Sequence, residues 1–238
     1  MTSRQQRTKA PPDAAAIVNQ FRSPLVRSCR AILLPALKLV KFLRRVSWKT
    51  IGSEHFSEME GPVIFASNHQ SHVDTHVITH TLPNHLRKTT AVAAAYDHFA
   101  DLDGSSLKKR CIQFLVASLW HAFGIERTTS PLRSIRTMQE LLLRGWSIVI
   151  YPEGTRSRSG DIATFKRGLA IIAKKSGRPI VPICVQGSRS VLPEATYIPQ
   201  AGVIQISYGK PLHFREDESP AEFTERVETA VREMAGSA

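Results

Sequence analysis

Four histidines and one aspartate lie close together near the first third of the chain. The segment SNHQSHVDTHVITH holds four of the nine histidines, namely His69, His72, His76 and His80, and it also holds Asp74. The repeated spacing of four would place His72, His76 and His80 on one side of a helix, where they could chelate a metal ion. Asp74 lies off that face, and no cysteine or second carboxylate is close. The segment alone is compatible with a metal site, a histidine base or a polar helix face.

The spacing of His69 and Asp74 sets the geometry in which they could interact. Five residues of a regular helix turn the chain by about 500°, so on one helix the two side chains would point roughly 140° apart. They can meet only if His69 lies in a loop and Asp74 in the first turn of the next helix. A carboxylate on one ring nitrogen fixes the tautomer and raises the basicity of the other nitrogen. His69 could then take a proton from a hydroxyl group.

A second group of polar residues follows an apolar run, in the stretch YPEGTRS. Gly154 allows the backbone to approach a ligand closely, Thr155 can donate a hydroxyl, and Arg156 carries the forked donor that suits phosphate. Lys166 adds a positive charge nearby. Glu153 is unfavourable beside a phosphate, so we expect it to orient an arginine or to accept a hydrogen bond from a substrate hydroxyl. The alternative is an ordinary loop with solvated arginines.

The surrounding sequence alternates short apolar runs with amphipathic segments. This alternation predicts an α/β domain in which a mostly parallel sheet is flanked by helices. Ligands bind such sheets at the carboxyl ends of the strands, which is where both polar groups lie. Pro182 suggests an edge strand or a bulge. Strands are predicted at 62–68, 89–95, 146–151, 178–187 and 202–211, and helices at 105–123, 130–145, 164–177 and 219–235.

The positive charge of the chain is concentrated at its N-terminus. The formal net charge is +12, of which residues 1–50 contribute +10. We predict a polar tail at 1–20, a basic amphipathic helix at 21–47 and one further domain at 48–238. The helix is too interrupted by charge to span a bilayer, but it could lie in an anionic headgroup layer. The alternative is that it packs on the protein itself. Aromatic residues make up only 7% and no nucleic-acid-binding motif occurs, so we expect a membrane surface and no nucleic acid.

The two motifs together resemble a known family. NHQSHVD, followed about eighty residues later by YPEGTRS, is similar to the glycerolipid acyltransferases typified by 1-acyl-glycerol-3-phosphate acyltransferase. FGIERT, TFKRG and RPIVPICVQGS resemble further blocks of that family, and the resemblance covers roughly residues 50–210. It implies that Asp74 holds His69, that His69 deprotonates the acceptor hydroxyl, and that the oxygen attacks an acyl thioester directly. The residues implied to hold the glycerophosphate are Arg127, Glu153, Gly154, Thr155, Arg156 and Lys166.

The resemblance also sets expectations for partners and location. It implies acyl-CoA or acyl-carrier protein as donor, a lysophospholipid such as lysophosphatidic acid as acceptor, and no metal or organic cofactor. We expect a peripheral or monotopic protein on the cytoplasmic face of a membrane, and three distant cysteines favour a reducing compartment. The alternatives are an acyltransferase for another lysolipid, a thioester or lipid hydrolase using Ser, His and Asp, and a non-enzymatic binding module. No G-x-S-x-G motif supports the hydrolase.

Overall fold

The computed structural model describes residues 13–56, 59–95, 114–115, 117–126, 131–157, 159–193, 196 and 198–236. The strands are β1 Val46–Ile51, β2 Ile64–Ser67, β3 Thr90–Ala95, β4 Ala122–Ile125, β5 Ser147–Ile150, β6 Ile180–Gln186 and β7 Gly202–Tyr208. The helices with their own bounds are α1 Ala14–Arg22, α2 Pro24–Leu43, α3 Val73–Thr81, α4 Asn84–Lys88, α5 Pro131–Leu143, α6 Gly168–Ser176, α7 Ser188–Val191 and α8 Pro220–Gly236.

The strands form one seven-stranded sheet in the order β1-β7-β6-β2-β5-β3-β4. Neighbouring strands are parallel except for β6 and β7, which are antiparallel. The predicted α/β fold with a mostly parallel sheet is therefore confirmed. Because β1 and β7 run opposite to the other five strands, their first residues lie at the edge where β2, β5 and β6 end. We call this edge the carboxyl edge.

The sheet is covered on both faces. Ile64 and Ala66 of β2 contribute to a core that includes α1, α5, α6 and α8, whereas Phe65 points into a second core with α3 and α4. Burial of successive side chains on opposite faces of the sheet is typical of the central strands of an α/β sheet. The layers fix the positions of the loops that leave β2 and β5 at the carboxyl edge.

The N-terminal elements differ from the predicted tail and helix. The tail was expected to cover residues 1–20, but α1 begins at Ala14, and its Ile17 and Phe21 are buried in the first core. The helix expected at 21–47 is interrupted at Ser23, which is extended, as residues before proline tend to be, and which caps α2 through the Val26 N–H. Helix α2 ends at Leu43, and β1 begins at Val46.

Helix α2 is divided between the protein body and the surface. Cys29, Leu33 and Leu37, which repeat at helical spacing, are half-buried. Ile32 at 71% and Leu39 at 57% are exposed, and they lie two turns apart on one face. Among the described residues, no helix is both long enough and apolar enough to cross a membrane.

Two other helices start or end at residues different from those predicted. The segment 105–123 lies largely outside the described residues. Its residues 114–115 and 117–120 are described and helical, but β4 begins at Ala122. His121 has a φ of 50°, a left-handed conformation that ends the helix. Helix α6 begins at Gly168 rather than at Thr164, because the Lys166 N–H donates to the carbonyl of Pro152 in the preceding loop.

Pro182 lies in an interior strand beside a bulge. Ile183 is opposite Tyr208, whereas Ile180 is opposite Leu212, so the chain after β7 contains one residue more than β6 over this stretch. The extra residue interrupts the backbone hydrogen-bond ladder at the position where Pro182 has no N–H to donate. The carbonyl of Pro182 still accepts the N–H of Gly209 at 2.8 Å. The bulge alternative is therefore confirmed, and the edge-strand alternative is wrong.

His121 joins the N-terminal helices to the protein body. Its buried ring lies 4.8 Å from that of Phe21 and 5.2 Å from that of Trp146. Nδ1 bonds to the carbonyl of Thr90 at 3.2 Å, and the guanidinium of Arg30 donates to Nε2. Burial, together with the charge of Arg30, lowers the pKa of His121 to about 3, although the bond to Thr90 opposes this shift. The ring is therefore neutral at physiological pH and can accept the arginine hydrogen bond.

We expect His121→Asn to reduce the acid sensitivity of folding. The unfolded chain binds a proton at this ring near pH 6.5, whereas the fold excludes it until about pH 3. The contribution of the ring is therefore fully present above pH 6.5 and is lost as the pH falls. Between pH 7.5 and 4.5 this loss amounts to roughly 2.5 kcal/mol. Asparagine tolerates the positive φ and does not titrate. Urea unfolding at both pH values measures the change, and equal pH dependence of the two proteins would contradict it.

Candidate active site

The loop after β2 is held against β6 by an asparagine side chain. The Asn68 amide donates to the carbonyl of Val185 at 2.9 Å and accepts from the Val185 N–H at 2.7 Å. This pair imitates a backbone ladder and extends the pairing of β2 with β6 past Ser67. The next residue, His69, consequently leaves the sheet at the carboxyl edge with a fixed backbone position.

His69 and Asp74 meet directly. Nδ1 of His69 lies 2.9 Å from Oδ2 of Asp74, and the same oxygen accepts the backbone N–H groups of Gln70 and Ser71 at 2.8 Å each. Asp74 is the second residue of α3 and is fully buried, whereas His69 lies in the loop. The loop and first helical turn thus supply the geometry that the five-residue spacing requires. Two backbone donors fix the carboxylate before it orients the ring.

The second ring nitrogen of His69 is available to a substrate. The side chain is 18% exposed, and among the described residues Nε2 has no hydrogen-bond partner. With Nδ1–H donating to Asp74, Nε2 carries the lone pair and can accept a proton. In the described part of the chain no serine hydroxyl bonds to this ring, so the pair resembles a base that acts on a bound hydroxyl.

Glu153 holds the backbone of the histidine loop. It is buried, and its two carboxylate oxygens accept the N–H groups of His69 at 2.8 Å and Ala163 at 2.9 Å. Burial raises the pKa of Glu153, and the two backbone hydrogen bonds oppose this effect. The expected contact with a substrate or an arginine is not the arrangement observed, because both oxygens face backbone donors.

The loop after β5 places cationic groups beside the histidine loop. Gly154 has a φ of 78°, and a Cβ atom there would lie 2.6 Å from the Lys166 ammonium nitrogen, so only glycine allows this approach. Thr155 is exposed and Arg156 is half-buried. The Ser157 N–H donates to the carbonyl of His69 at 2.8 Å, which ties the two loops together.

One predicted residue lies outside the described residues, and several contacts were not anticipated. Arg127 follows β4, whose last residue is at the carboxyl edge, but Arg127 itself is not among the residues that the structure describes. Asn68 and Gln70, whose amide donates to the carbonyl of Gly160 at 2.7 Å, were missed because their partners are distant in sequence. Tyr151 was also missed, although its position directly before the PEGT stretch was a usable signal.

The remaining histidines of the cluster pack among aromatic rings. The rings of His76 and His80 lie 5.8 and 5.2 Å from that of Trp48, and Trp120 donates to Nδ1 of His76 at 3.4 Å. Burial, then the charges of His80 and Lys41, lower the pKa of His76 to about 4. In the described ranges, no three ligating side chains converge as a metal site would require.

A His–Asp pair and a basic loop at the carboxyl edge of an α/β sheet define a site that can deprotonate a hydroxyl beside an anion. The family model described as Acyltransferase matches residues 47–186, which is more than half of the chain. The chain belongs to the Acyltransferase family.

Similar proteins carry related names. The chain is 27% identical over 165 residues to 1-acyl-sn-glycerol-3-phosphate acyltransferase LPAT1, chloroplastic, of Arabidopsis thaliana, covering 68% of this chain and 42% of that protein. It is 32% identical over 120 residues to the 1-acyl-sn-glycerol-3-phosphate acyltransferase of Bacillus subtilis, covering 48% of this chain and 57% of that one. It spans about half the length of these curated relatives.

A solved structure shares the fold. The crystal structure of the 1-acyl-sn-glycerophosphate (LPA) acyltransferase PlsC from Thermotoga maritima superposes with a TM-score of 0.66 at 20% identity. The match covers 94% of this chain and 88% of that one. The similarity therefore extends beyond the family segment to nearly the whole α/β body.

Proposed function

We propose that this protein transfers a fatty acyl group from acyl-CoA or acyl-carrier protein to the free hydroxyl of lysophosphatidic acid, which yields phosphatidic acid. The observation that carries the proposal is the His69–Asp74 pair, in which Nε2 of His69 is open to a substrate. The loop of His69 is hydrogen-bonded to the basic loop that contains Arg156 and Lys166. The names of the relatives support the same reaction.

The proposed reaction is a direct transfer between two bound substrates. Nε2 of His69 accepts the proton of the acceptor hydroxyl while the oxygen attacks the thioester carbonyl carbon. The tetrahedral intermediate collapses with cleavage of the C–S bond, and the leaving thiolate takes the proton from the imidazolium as the free thiol. Asp74 stabilises the imidazolium between these steps. General base catalysis contributes about 10²- to 10⁴-fold, and positioning of both substrates contributes further.

The basic loop is proposed to hold the acceptor phosphate. Arg156 offers two parallel donors, Lys166 offers a point charge against the Gly154 backbone, and Thr155 offers a hydroxyl. Arg127 is proposed to contribute from the segment after β4. Glu153 belongs to this assembly as the residue that fixes the His69 loop relative to the phosphate site.

The test offers the purified full chain a panel of lysophospholipids and monoacylglycerol, with acyl-CoA or acyl-carrier protein as donor, and identifies products by mass spectrometry. We expect phosphatidic acid as the main product. Arg156→Ala should raise the KM for lysophosphatidic acid about 10- to 100-fold, since a charge-assisted bond is lost, with kcat changed less than about fivefold. Arg136→Ala, an exposed arginine on α5, is the control. Release of free fatty acid alone, or an unchanged KM, would overturn the proposal.

The protein is further proposed to work on the cytoplasmic face of an anionic membrane, with α2 lying in the headgroup layer. Exposed Ile32 and Leu39 supply apolar contact, and exposed Lys38 directly precedes Leu39. The carbonyl of Arg45, just after α2, accepts the N–H of Gly202 at the start of β7. The end of α2 is thus at the carboxyl edge, three strand spacings or about 14 Å across the sheet from β2.

We expect the double variant Ile32→Glu and Leu39→Glu to bind phosphatidylglycerol-containing vesicles about tenfold more weakly or worse, because two apolar contacts are replaced by anionic groups. Both side chains are exposed, so the fold should persist. Leu132→Glu, on α5 at 72% exposure, is a matched control for an added charge at an exposed leucine. Vesicle sedimentation measures binding. Equal effects of the control and the double variant would mean that α2 is not the docking element.

A further inference from the structure

Tyr151 stacks directly on the histidine of the proposed base. The rings of Tyr151 and His69 have centroids 3.9 Å apart and planes inclined by 17°. The Tyr151 hydroxyl is 2.7 Å from Oγ1 of Thr75 in the first turn of α3. Neither the stacking nor the hydroxyl contact follows from the two motifs taken separately.

The contacts hold the imidazole at one edge and on one face. The first turn of α3 supplies Asp74 to the edge of the His69 ring and Thr75 to the tyrosine that covers its face. Tyr151 directly follows β5, and its carbonyl accepts the Gly154 N–H at 3.0 Å in the turn that begins the basic loop. The ring of Tyr151 is therefore fixed at both ends, by backbone and by hydroxyl.

The hydroxyl of Tyr151 is held as a neutral phenol. Burial, followed by the charge of Asp74, raises the pKa of Tyr151 far above its usual value, and the bond to Thr75 opposes this only in part. What Tyr151 can contribute is its π face, which attracts a cation placed over it. In the proposed reaction, the group over that face becomes an imidazolium when it takes the acceptor proton.

We propose that Tyr151 is a positioning residue for acyl transfer, which holds the imidazole of His69 in plane with Asp74 and stabilises the imidazolium with its ring face. The inference rests on the proposed function. Among the described residues, the charged groups in contact with the His69 residue are Asp74 on α3 and Glu153 after β5, and Lys166 lies beside Gly154 in the adjoining loop. In the described ranges, Tyr151 is the one aromatic residue that stacks on the imidazole.

The test compares three variants of the full chain. Tyr151→Leu removes the ring face and should lower kcat about 10- to 30-fold with the acceptor KM changed less than threefold, because the imidazolium loses its stacked partner. The acid limb of its pH–rate profile should move to lower pH. Tyr151→Phe and Thr75→Val each remove the hydroxyl bond but keep the ring, so both should retain kcat within about threefold and an unshifted profile.

A second measurement does not depend on acyl transfer. In proton NMR spectra of the wild-type protein, assigned with His69→Gln, the carbon-bound ring protons of His69 should be displaced upfield by the Tyr151 ring current. Tyr151→Phe should keep this displacement and Tyr151→Leu should lose it. A wild-type spectrum without the displacement overturns the inference even if Tyr151→Leu fails to fold. A loss of kcat in Tyr151→Phe equal to that in Tyr151→Leu also overturns it. If the displacement is present but no lysolipid is acylated, the proposed function fails instead.

Discussion

Replacement of His69 by alanine is expected to lower acyl transfer from acyl-CoA to lysophosphatidic acid by about three orders of magnitude or more, at the upper range of general base catalysis. The structure gives the reason for so large a loss, because Nε2 is the open nitrogen of a ring that Asp74 and Tyr151 orient. Initial rates with saturating donor and acceptor measure the loss, because it should appear in kcat.

The fold should survive this substitution. The His69 ring is partly exposed and makes one side-chain hydrogen bond, while its backbone remains held by Glu153 and by Ser157. His85→Ala, an exposed histidine on α4, is the matched control and should retain full activity. Far-ultraviolet circular dichroism and urea unfolding establish that the protein is folded. Activity of His69→Ala within tenfold of the wild type would remove His69 from the role of base.

The local part of the site could be predicted from the sequence because helix geometry constrains it. A spacing of five allows His69 to reach Asp74 only across a loop-to-helix boundary, and one such boundary follows the apolar run of β2. Four of the phosphate-binding candidates, Glu153 to Arg156, likewise lie in one short stretch after β5. Alternation of apolar runs with amphipathic segments was sufficient to predict the parallel sheet. The central strands appear in the sequence as continuous apolar runs because both of their faces are buried.

The contacts that join the loops could not be predicted, because they connect distant segments. Glu153 binds the backbone of His69 across 84 residues, and Asn68 binds Val185 across 117 residues. A carboxylate that binds backbone N–H groups has no sequence pattern to distinguish it from one that binds a ligand. The expectation for Glu153 was therefore a contact with an arginine or with a substrate hydroxyl.

The N-terminal elements differ from the predicted tail and helix for a different physical reason. Helix α1 follows a polar segment and contains few strongly apolar residues, so it resembled a tail, yet Ile17 and Phe21 enter the core beside Trp146. Strand β1 directly follows a long helical pattern and is mostly exposed as an edge strand. Only its pairing with β7 defines it as a strand. A truncation of residues 1–50 would remove both elements, which is why point substitutions on α2 are the better test of membrane docking.

The charge of Asp74 should be as important as its shape. Asp74→Asn is expected to lower kcat about 10²- to 10³-fold while the loop stays in place. Its amide oxygen can still accept from the Gln70 and Ser71 N–H groups, whereas the negative charge that stabilises the imidazolium is lost. The amide nitrogen would occupy the position of Oδ1, which is buried and has no hydrogen-bond partner among the described residues, so a modest loss of stability should accompany it.

Asp161→Asn provides the comparison that separates charge at the imidazole from charge in general. Asp161 is exposed on the loop that carries Gly160 and has no contact with the His69 ring, so its substitution should leave kcat within about twofold. Stopped-time assays at saturating substrates, paired with thermal unfolding, measure both effects. If Asp74→Asn retained a tenth or more of wild-type kcat, the carboxylate would serve only to shape the loop, and the imidazolium would depend on Tyr151 and the substrate phosphate for its stabilisation.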